Sequence, residues 1–182
     1  EGDVKGMSNR PDRVVVTIDE TEHEFDFVID CMGFPSTFEG YTMSDCTPVN
    51  RCQIHSITDF DYEPFTDHIA HSNGWMFGVP LKSRKTFGYL YNDQITSKEE
   101  AIADMKRLLD VGTIDDKEYV FKCYYAHNMV DGRILKNGNK ALFFEPLVAN
   151  SIFVYTYAAR LMYDYIMGIS DATKTNTAII KT

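Results

Sequence analysis

Apolar and polar residues alternate along the chain in short runs that predict mostly β-strands. Runs rich in β-branched and aromatic residues, bounded by Pro, Gly, Asn or Asp, are typical of strands. They cover residues 14–18, 25–31, 53–57, 66–70, 75–79, 86–91, 117–125 and 132–136. We expect the first two runs to form a hairpin across a polar linker, and the next four to form a largely antiparallel sheet after a long loop over residues 38–50.

Two segments have the features of helices. Ser97 and Glu100 form a capping box, in which each side chain can satisfy the backbone amide of the other residue. This predicts a helix that runs from residue 97 to about residue 109. A second helix is predicted over residues 151–167 and ends at Gly168, since glycine adopts the left-handed conformation that ends many helices. Because this helix is apolar on almost every side, we expect it to be buried on several sides.

The composition is that of a globular protein, and it narrows the possible partners. The chain has 182 residues, with 18 Lys and Arg against 27 Asp and Glu, so its formal charge is −9. Such a charge repels phosphate backbones, and we expect no nucleic-acid partner. The sequence shows neither a signal peptide nor an apolar run of membrane-spanning length, and its four cysteines form no CxxC pair. We therefore expect a cytoplasmic protein with reduced thiols and no membrane partner, whose oligomeric state the sequence does not determine.

The histidines do not form a metal-binding pattern. His68 and His71 are the nearest pair, but they fall on opposite faces of a predicted strand. No second pair stands at a spacing typical of zinc sites. We expect no metal site.

Three motifs follow one another along the chain. Residues 26–34 read DFVIDCMGF, residues 74–81 read GWMFGVPL with GYLY at 88–91, and residues 138–147 read GNKALFFEPL. Together they resemble the flavin-dependent halogenases of the tryptophan halogenase family. The corresponding family segments read IDCSGF or IDASGF, then WxWxIP with GYVYS, then GNAAAFLEPLESTGI. The resemblance extends roughly from residue 14 to residue 167.

The resemblance implies a fold class and a division of the chain. The fold is α/β with an α+β-like portion: the FAD/NAD(P)-binding fold of flavin monooxygenases, with an antiparallel substrate-side sheet and a buried C-terminal helix. Residues 1–37 would end the FAD-binding sheet, residues 38–131 would form the antiparallel sheet with its helix, and residues 132–182 would return to the FAD-binding region. The chain contains no GxGxxG segment and no position that matches the family's catalytic lysine. We therefore expect it to be an interior or C-terminal part of a longer chain, and to bind FAD weakly in isolation.

The resemblance also implies a cofactor site. Its candidate residues are Gly33, Gly138, Asn139, Pro146, Asn150 and Ser151. Asn150 and Ser151 stand where the family holds halide with a Thr-Gly pair, so the backbone donors there persist while the Thr hydroxyl is lost. From the residues alone, two other interpretations stay open. Gly138-Asn139 also fits a hairpin turn, and Asn150 also fits the N-cap of a core helix.

A substrate-side wall is implied at Trp75, Phe77 and Pro80, where Phe77 replaces the second Trp of the family pattern. These aromatic residues would keep water away from the reacting groups. They equally fit a strand that packs its aromatic side chains in the core.

No catalytic residue can be assigned in this chain. The family's catalytic glutamate falls at Val148, which has no titratable group. The resemblance implies an FAD-dependent halogenase that uses reduced FAD from a partner flavin reductase, oxygen and halide to halogenate an aromatic or electron-rich organic substrate. The substitution at Val148 leaves two alternatives open: a flavin-dependent monooxygenase on the same scaffold, or a non-catalytic flavin-binding relative.

Overall fold

A computed structural model of the chain describes residues 2–144, 146–147 and 150–180. Within these residues the strands are β1 Val4–Asn9, β2 Val14–Ile18, β3 Thr21–Phe25, β4 Val28–Asp30, β5 Tyr41–Met43, β6 Arg51–Ile57, β7 Asp67–His71, β8 Gly74–Pro80, β9 Lys85–Tyr91, β10 Lys117–Val120, β11 Tyr124–Ala126, β12 Val130–Asp131, β13 Ile134–Lys136 and β14 Leu142–Phe143. The helices are α1 Lys98–Leu109, α2 Asn150–Ile166 and α3 Ala172–Ile180, with a short 3-10 turn at Gly138–Lys140. This is the mixed α/β composition that the sequence predicts.

The chain divides into two compact units. The first unit combines Glu1–Ser44 with Cys123–Thr182, and the second unit is Asp45–Lys122. The functional division at residues 37/38 and 131/132 stays a prediction.

The second unit is built on a five-stranded antiparallel sheet in the order β10-β6-β9-β8-β7. The four central runs of the sequence therefore form the antiparallel sheet that they predict. Helix α1 begins with the predicted capping box, since Ser97 N donates to Glu100 Oε2 at 2.9 Å and Glu100 N donates to Ser97 Oγ at 3.3 Å. Its buried Ala101 and Met105 pack on the buried face of the sheet against Met76 and the ring of Tyr89.

In the first unit the predicted hairpin is wrong in its second strand. The partner of β2 is β3, a strand of exposed and mostly polar residues, and β1 pairs on the other side of β2. Asp19 makes the tight β2–β3 turn with a φ of 55°. The polar segment forms a strand because β2 supplies the buried valines, while its partner can leave its own side chains in water.

Strand β4 instead pairs in parallel with β13, from Val28 opposite Ile134 to Asp30 opposite Lys136. Strand β12 pairs antiparallel on the far side of β13. The core beneath these strands includes Leu135 together with Ala158 and Met162 of α2. A parallel pair brings the carboxyl ends of both strands to the same edge.

Two other sequence predictions need correction. The predicted strand over residues 117–125 is two strands: β10 joins the sheet of the second unit, and β11 pairs with β5 and β14 in the first unit. The predicted loop over residues 38–50 contains β5. A single apolar run cannot show where the chain leaves one sheet for another.

Helix α2 lies within a residue of its predicted start and end, and Gly168 follows it with a φ of +71°. The expected burial on several sides is wrong for the described residues. Phe153 is 69% exposed and Ile152 64% exposed, and the buried stripe is Ser151, Ala158 and Met162. Helix α3 was not predicted. It begins after Asp171, whose Oδ1 accepts from Lys174 N at 2.8 Å.

Among the described residues, no helix is both long and apolar enough to cross a membrane. The same residues contain no group of three or more His, Cys, Asp or Glu side chains that could hold a metal ion.

Candidate functional site

The carboxyl ends of β4 and β13 bring two of the three sequence motifs together. Strand β4 ends at Asp30 and leads into residues 31–34, while β13 ends at Lys136 and leads into the Gly138–Lys140 turn. Asn137 N donates to Asp30 O at 3.0 Å and so extends the pairing beyond the strands. Ligands of parallel sheets bind outside the carboxyl ends of strands, so this edge is a candidate binding site.

The Gly138–Lys140 turn is held at this edge by Asn137. The Asn137 Oδ1 accepts from Gly138 N at 2.8 Å, and its Nδ2 donates to Tyr155 O of α2 at 3.2 Å. Gly138 has a φ of +60°, and, apart from its chain neighbours, no described residue has an atom within 4 Å of the position a Cβ would take. A ligand can therefore approach the backbone closely at Gly138.

The hairpin interpretation of Gly138-Asn139 is wrong. A hairpin would pair the strands on either side of the turn, but β13 and β14 belong to different sheets. The turn therefore serves to carry the chain from one sheet to the other past the first turns of α2.

Asn139 is fixed on both its backbone and its side chain. Its carbonyl oxygen accepts from the Tyr124 hydroxyl at 2.5 Å, and its Oδ1 accepts from the Tyr155 hydroxyl at 2.7 Å. The side-chain nitrogen, Nδ2, has no hydrogen-bond partner among the described residues. The half-buried Asn139 thus presents a positioned donor, which suits an oxygen atom of a ligand.

The first turn of α2 adds a second set of donors. Ser151 is 9% exposed, and its Oγ makes no hydrogen bond with another described residue. Tyr155 lies one turn further along, and burial is the main cause that raises the pKa of its hydroxyl. No acidic side chain stands in this first turn, so the positive end of the helix dipole is not neutralised there. Through its bond to Asn139, Tyr155 joins the Gly138–Lys140 turn to helix α2, which also carries Ser151.

A buried ion pair supports the same edge. Asp30 is 6% exposed, and Lys140 Nζ lies 3.6 Å from its Oδ2. The other oxygen, Oδ1, accepts from Met32 N at 3.0 Å, and burial together with the Asp30 charge raises the pKa of Cys31. Asp30 therefore fixes the loop after β4 to the turn after β13.

The remaining candidates differ in position. Gly33 has a φ of +80° in an open turn, and its amide donates to Cys31 O at 2.8 Å. Pro146 is half-buried, and Asn150 is the exposed first residue of α2. Val148, at the position of the family's glutamate, lies outside the described residues, as does Glu145 of the same loop.

The wall candidates lie in the second unit, on strand β8. Trp75 and Phe77 point to the same face, with ring centroids 6.0 Å apart, and the His68 ring lies 6.1 Å from Trp75. Phe77 covers the backbone of Gly88 on β9, where a Cβ would lie 2.1 Å from the ring. Trp75, Phe77 and Pro80 are half-buried, whereas Met76 on the opposite face is fully buried. The aromatic face is therefore not the closed core of this unit.

Sequence reasoning did not assign the contacts that hold the site together. Asn137, Tyr155 and Lys140 carry the contacts that join β4, the turn and α2. Tyr155 stands four residues after Ser151 in an apolar helix, so its hydroxyl shared a helix face with a predicted site residue. That spacing was the available signal.

The fold and the site define a class of protein: a mixed α/β scaffold with an open glycine turn and a helix amino terminus at the carboxyl edge of parallel strands. A family model for tryptophan halogenases matches residues 1–178. The chain belongs to the tryptophan halogenase family.

Curated relatives and solved structures agree. The chain is 28% identical over 149 residues to tryptophan 7-halogenase KtzQ of Kutzneria sp. (strain 744), covering 74% of this chain and 27% of that protein. It is 26% identical over 149 residues to tryptophan 7-halogenase RebH of Lentzea aerocolonigenes, covering 74% of this chain and 28% of that protein. The chain thus spans just over a quarter of the length of these relatives.

The fold is shared with solved halogenases. Xcc4156, a flavin-dependent halogenase from Xanthomonas campestris, superimposes with a TM-score of 0.80 at 18% identity, over 100% of this chain and 40% of that one. BrvH, a flavin-dependent halogenase from Brevundimonas sp. BAL3, gives a TM-score of 0.75 at 22% identity, over 98% of this chain and 39% of that one. At these identities the likeness shows the fold alone.

Proposed function

We propose that this chain forms the flavin-edge and halide-binding part of an FAD-dependent halogenase that acts on an aromatic or electron-rich organic substrate. One observation supports this most directly: Tyr155 of α2 donates to Asn139 Oδ1, so the helix that carries the proposed halide contact also holds the proposed flavin contact. Membership of the tryptophan halogenase family supports the same reaction. Reduced FAD would come from a partner flavin reductase, and the FAD-binding fold as a whole is part of the proposal.

The residues present fit a flavin and a small anion. Gly138 leaves its backbone open, Asn139 offers Nδ2 as a donor, and the buried Ser151 Oγ has an unused hydrogen-bonding capacity. In this proposal Gly138 and Asn139 hold one edge of FAD, while Ser151 and the first amides of α2 hold halide. Gly33 lines the same edge from the loop after β4, and Pro146 and Asn150 border it near the start of α2.

When bound, reduced FAD supplies the electrons with which oxygen converts halide into an electrophilic halogen species. The chain's own residues bind and orient the reacting molecules, and they exclude water. Asn139 and Ser151 fix the reacting partners, and Asp30 with Lys140 holds the two loops that carry Gly33 and Asn139. Trp75, Phe77 and Pro80 would shield the organic substrate from water.

A second candidate function follows from Val148. A valine can neither donate nor accept the proton that a carboxyl group would handle. The loss of that carboxyl group favours, as the second candidate, a flavin-dependent monooxygenase on the same scaffold. A non-catalytic flavin-binding relative is the remaining alternative.

The flavin contact is tested by titrating FAD into the isotope-labelled chain and following backbone amide signals by NMR, which detects weak binding. We expect saturable shifts at Gly138, Asn139 and Ser151. Asn139→Ala should weaken FAD binding by about tenfold, the effect of losing one well-placed hydrogen bond. Asn128→Ala, an exposed asparagine of the same unit, is the matched control and should leave the affinity unchanged.

Product analysis separates the functions. The protein is supplied with FAD, a flavin reductase, NADH, indole or tryptophan, and chloride or bromide. A product whose mass follows the halide supports the halogenase, whereas an oxygenated, halide-independent product supports the monooxygenase. In the NMR titration, amide shifts confined to other residues, or no amide shift at millimolar FAD, would contradict the flavin site itself.

A further inference from the structure

A second concave region lies at the opposite edge of the β4–β13 pair. This cleft has a volume of about 470 Å³ and lies at the amino ends of the two strands, away from the candidate flavin site. Its lining includes Arg10 between β1 and β2, Phe27 just before β4, Arg133 just before β13, and Tyr165 of α2. The volume falls within the range of sites for small molecules.

Arg133 is held in place by hydrogen bonds to neutral acceptors. Its Nε donates to Pro11 O at 3.2 Å and its Nη1 donates to Asp26 O at 3.0 Å. The guanidinium also lies over the Phe27 ring, 4.9 Å from its centroid. Both acceptors are neutral carbonyls, so the positive charge of Arg133 is positioned but not compensated by these contacts.

The walls around Arg133 are similarly fixed. The Tyr165 hydroxyl donates to Gly132 O at 2.8 Å, and the Tyr165 ring meets Phe27 edge-on at 6.0 Å. Asn9 Nδ2 donates to Asp131 O at 2.7 Å, while Asn9 Oδ1 accepts from Arg133 N at 3.2 Å. A ligand would therefore meet a preformed surface, which lowers the entropic cost of binding.

The distribution of arginine partners singles out this cleft. A carboxylate lies within 4 Å of each of four other arginines: Arg13, Arg51, Arg107 and Arg160. Arg84 donates to the Thr86 hydroxyl. Within the described residues, Arg10 and Arg133 are the two arginines whose guanidinium groups form no hydrogen bond or ion pair with another side chain. Both line the same cleft.

Asp12 pairs with Arg13, although its charge also acts on Arg133. The pKa of Asp12 is lowered mainly by its hydrogen bond with Arg13, with a smaller contribution from the charge of Arg133. Its carboxylate already accepts from Arg13 Nε at 2.9 Å. In a chain with a formal charge of −9, a cleft lined by two arginines that form no ion pair with a described side chain would attract an anion.

We propose that this cleft binds a small organic anion, whose phosphate or carboxylate group lies between Arg10 and Arg133. The arginine fork matches the oxygen geometry of both groups. The Phe27 and Tyr165 rings provide the apolar contact for the rest of the molecule. This site is separate from the proposed flavin site and does not depend on the proposed function.

The test uses the full chain labelled with ¹⁵N, and follows the arginine Nε–H signals by NMR at constant ionic strength. Inorganic phosphate, adenosine monophosphate and benzoate are titrated separately, so that phosphate and carboxylate sources are compared directly. We expect saturable shifts of the Arg133 Nε–H signal, with tighter binding of the two ring-bearing anions than of inorganic phosphate. The tighter of those two identifies the source of the oxyanion.

Variants show whether the arginines carry the binding. Arg10 is exposed, so Arg10→Gln should fold normally and should weaken binding by about tenfold, with partial recovery in Arg10→Lys. Arg84→Gln removes an arginine elsewhere and should leave binding unchanged. The proposal is overturned if millimolar anion gives no saturable shift, if potassium chloride produces the same shift, or if Arg84→Gln weakens binding as much as Arg10→Gln does.

Discussion

Replacing Gly88 by alanine should strain the aromatic face of the second unit. A Cβ at Gly88 would lie 2.1 Å from the ζ carbon of Phe77, directly across the β8–β9 pair. Carbon atoms in contact prefer a separation of ~3.5–4.0 Å, so the Phe77 ring would have to move by roughly 1.5 Å. Overpacking of this size costs about 1–3 kcal/mol. We therefore expect Gly88→Ala to lower the free energy of unfolding by that amount.

The measurement is urea unfolding followed by circular dichroism. A loss of about 2 kcal/mol should lower the urea midpoint by roughly 1 M, since small proteins have slopes of ~1–3 kcal/mol per M. Trp75, the single tryptophan of the chain, lies 6.0 Å from Phe77, so its fluorescence should also change in the folded variant. Gly112→Ala is the matched control, because no non-neighbouring atom in the described part of the chain lies within 4 Å of its Cβ position and its φ is not positive.

A double-mutant cycle identifies the cause. In a Phe77→Ala background the obstructing ring is gone, so Gly88→Ala should cost little or even stabilise, because glycine within a strand is ~0.5–1 kcal/mol worse than alanine. If Gly88→Ala costs the same with and without the Phe77 ring, the steric argument is refuted. If Gly112→Ala is equally destabilising, the effect does not come from the clash.

Three further predictions follow from buried or capping groups. Tyr155→Phe removes the hydroxyl bound to Asn139 and should lower the free energy of unfolding, measured with urea, by about 1–2 kcal/mol. An unchanged urea midpoint would show that this contact does not stabilise the fold. Ser97→Ala breaks the capping box of α1 and should cost about 1 kcal/mol in the same assay; no loss would mean that Glu100 alone caps the helix. Burial lowers the pKa of His71, so its contribution to stability is fully present above the unfolded-state pKa of ~6.5 and declines as the pH falls below that value. His71→Phe should therefore flatten the dependence of the free energy of unfolding on pH below ~6.5. The same slope in the variant and the parent chain would contradict this.

The elements that the sequence predicts well are those set by neighbouring residues. The α1 capping box and the end of α2 at Gly168 depend on groups within a few positions of each other, and both were found as predicted. The strands of the antiparallel sheet in the second unit follow from local runs bounded by turn residues. The three motifs also led correctly to the tryptophan halogenase family.

The site itself depends on contacts that no local pattern contains. The strand at β4 looks like the return strand of a hairpin, yet it pairs with β13, far along the chain, because the polar segment at β3 takes the place beside β2. The Asn139–Tyr155 bond and the Asp30–Lys140 pair exist only after that pairing is made. The hydrophobic periodicity of α2 likewise could not predict that Phe153 is exposed, because the pattern identifies an apolar face but not the segment that packs against it.

The amino-acid sequence by itself determined the helix ends, the strands of the antiparallel sheet and the family, because each follows from residue types at short and fixed spacings. The tertiary structure decided which strands pair in parallel, which loops meet at their carboxyl ends, and that Arg10 and Arg133 share a cleft. Those outcomes depend on competition between distant segments for the same partner, and the packing of the whole unit settles that competition.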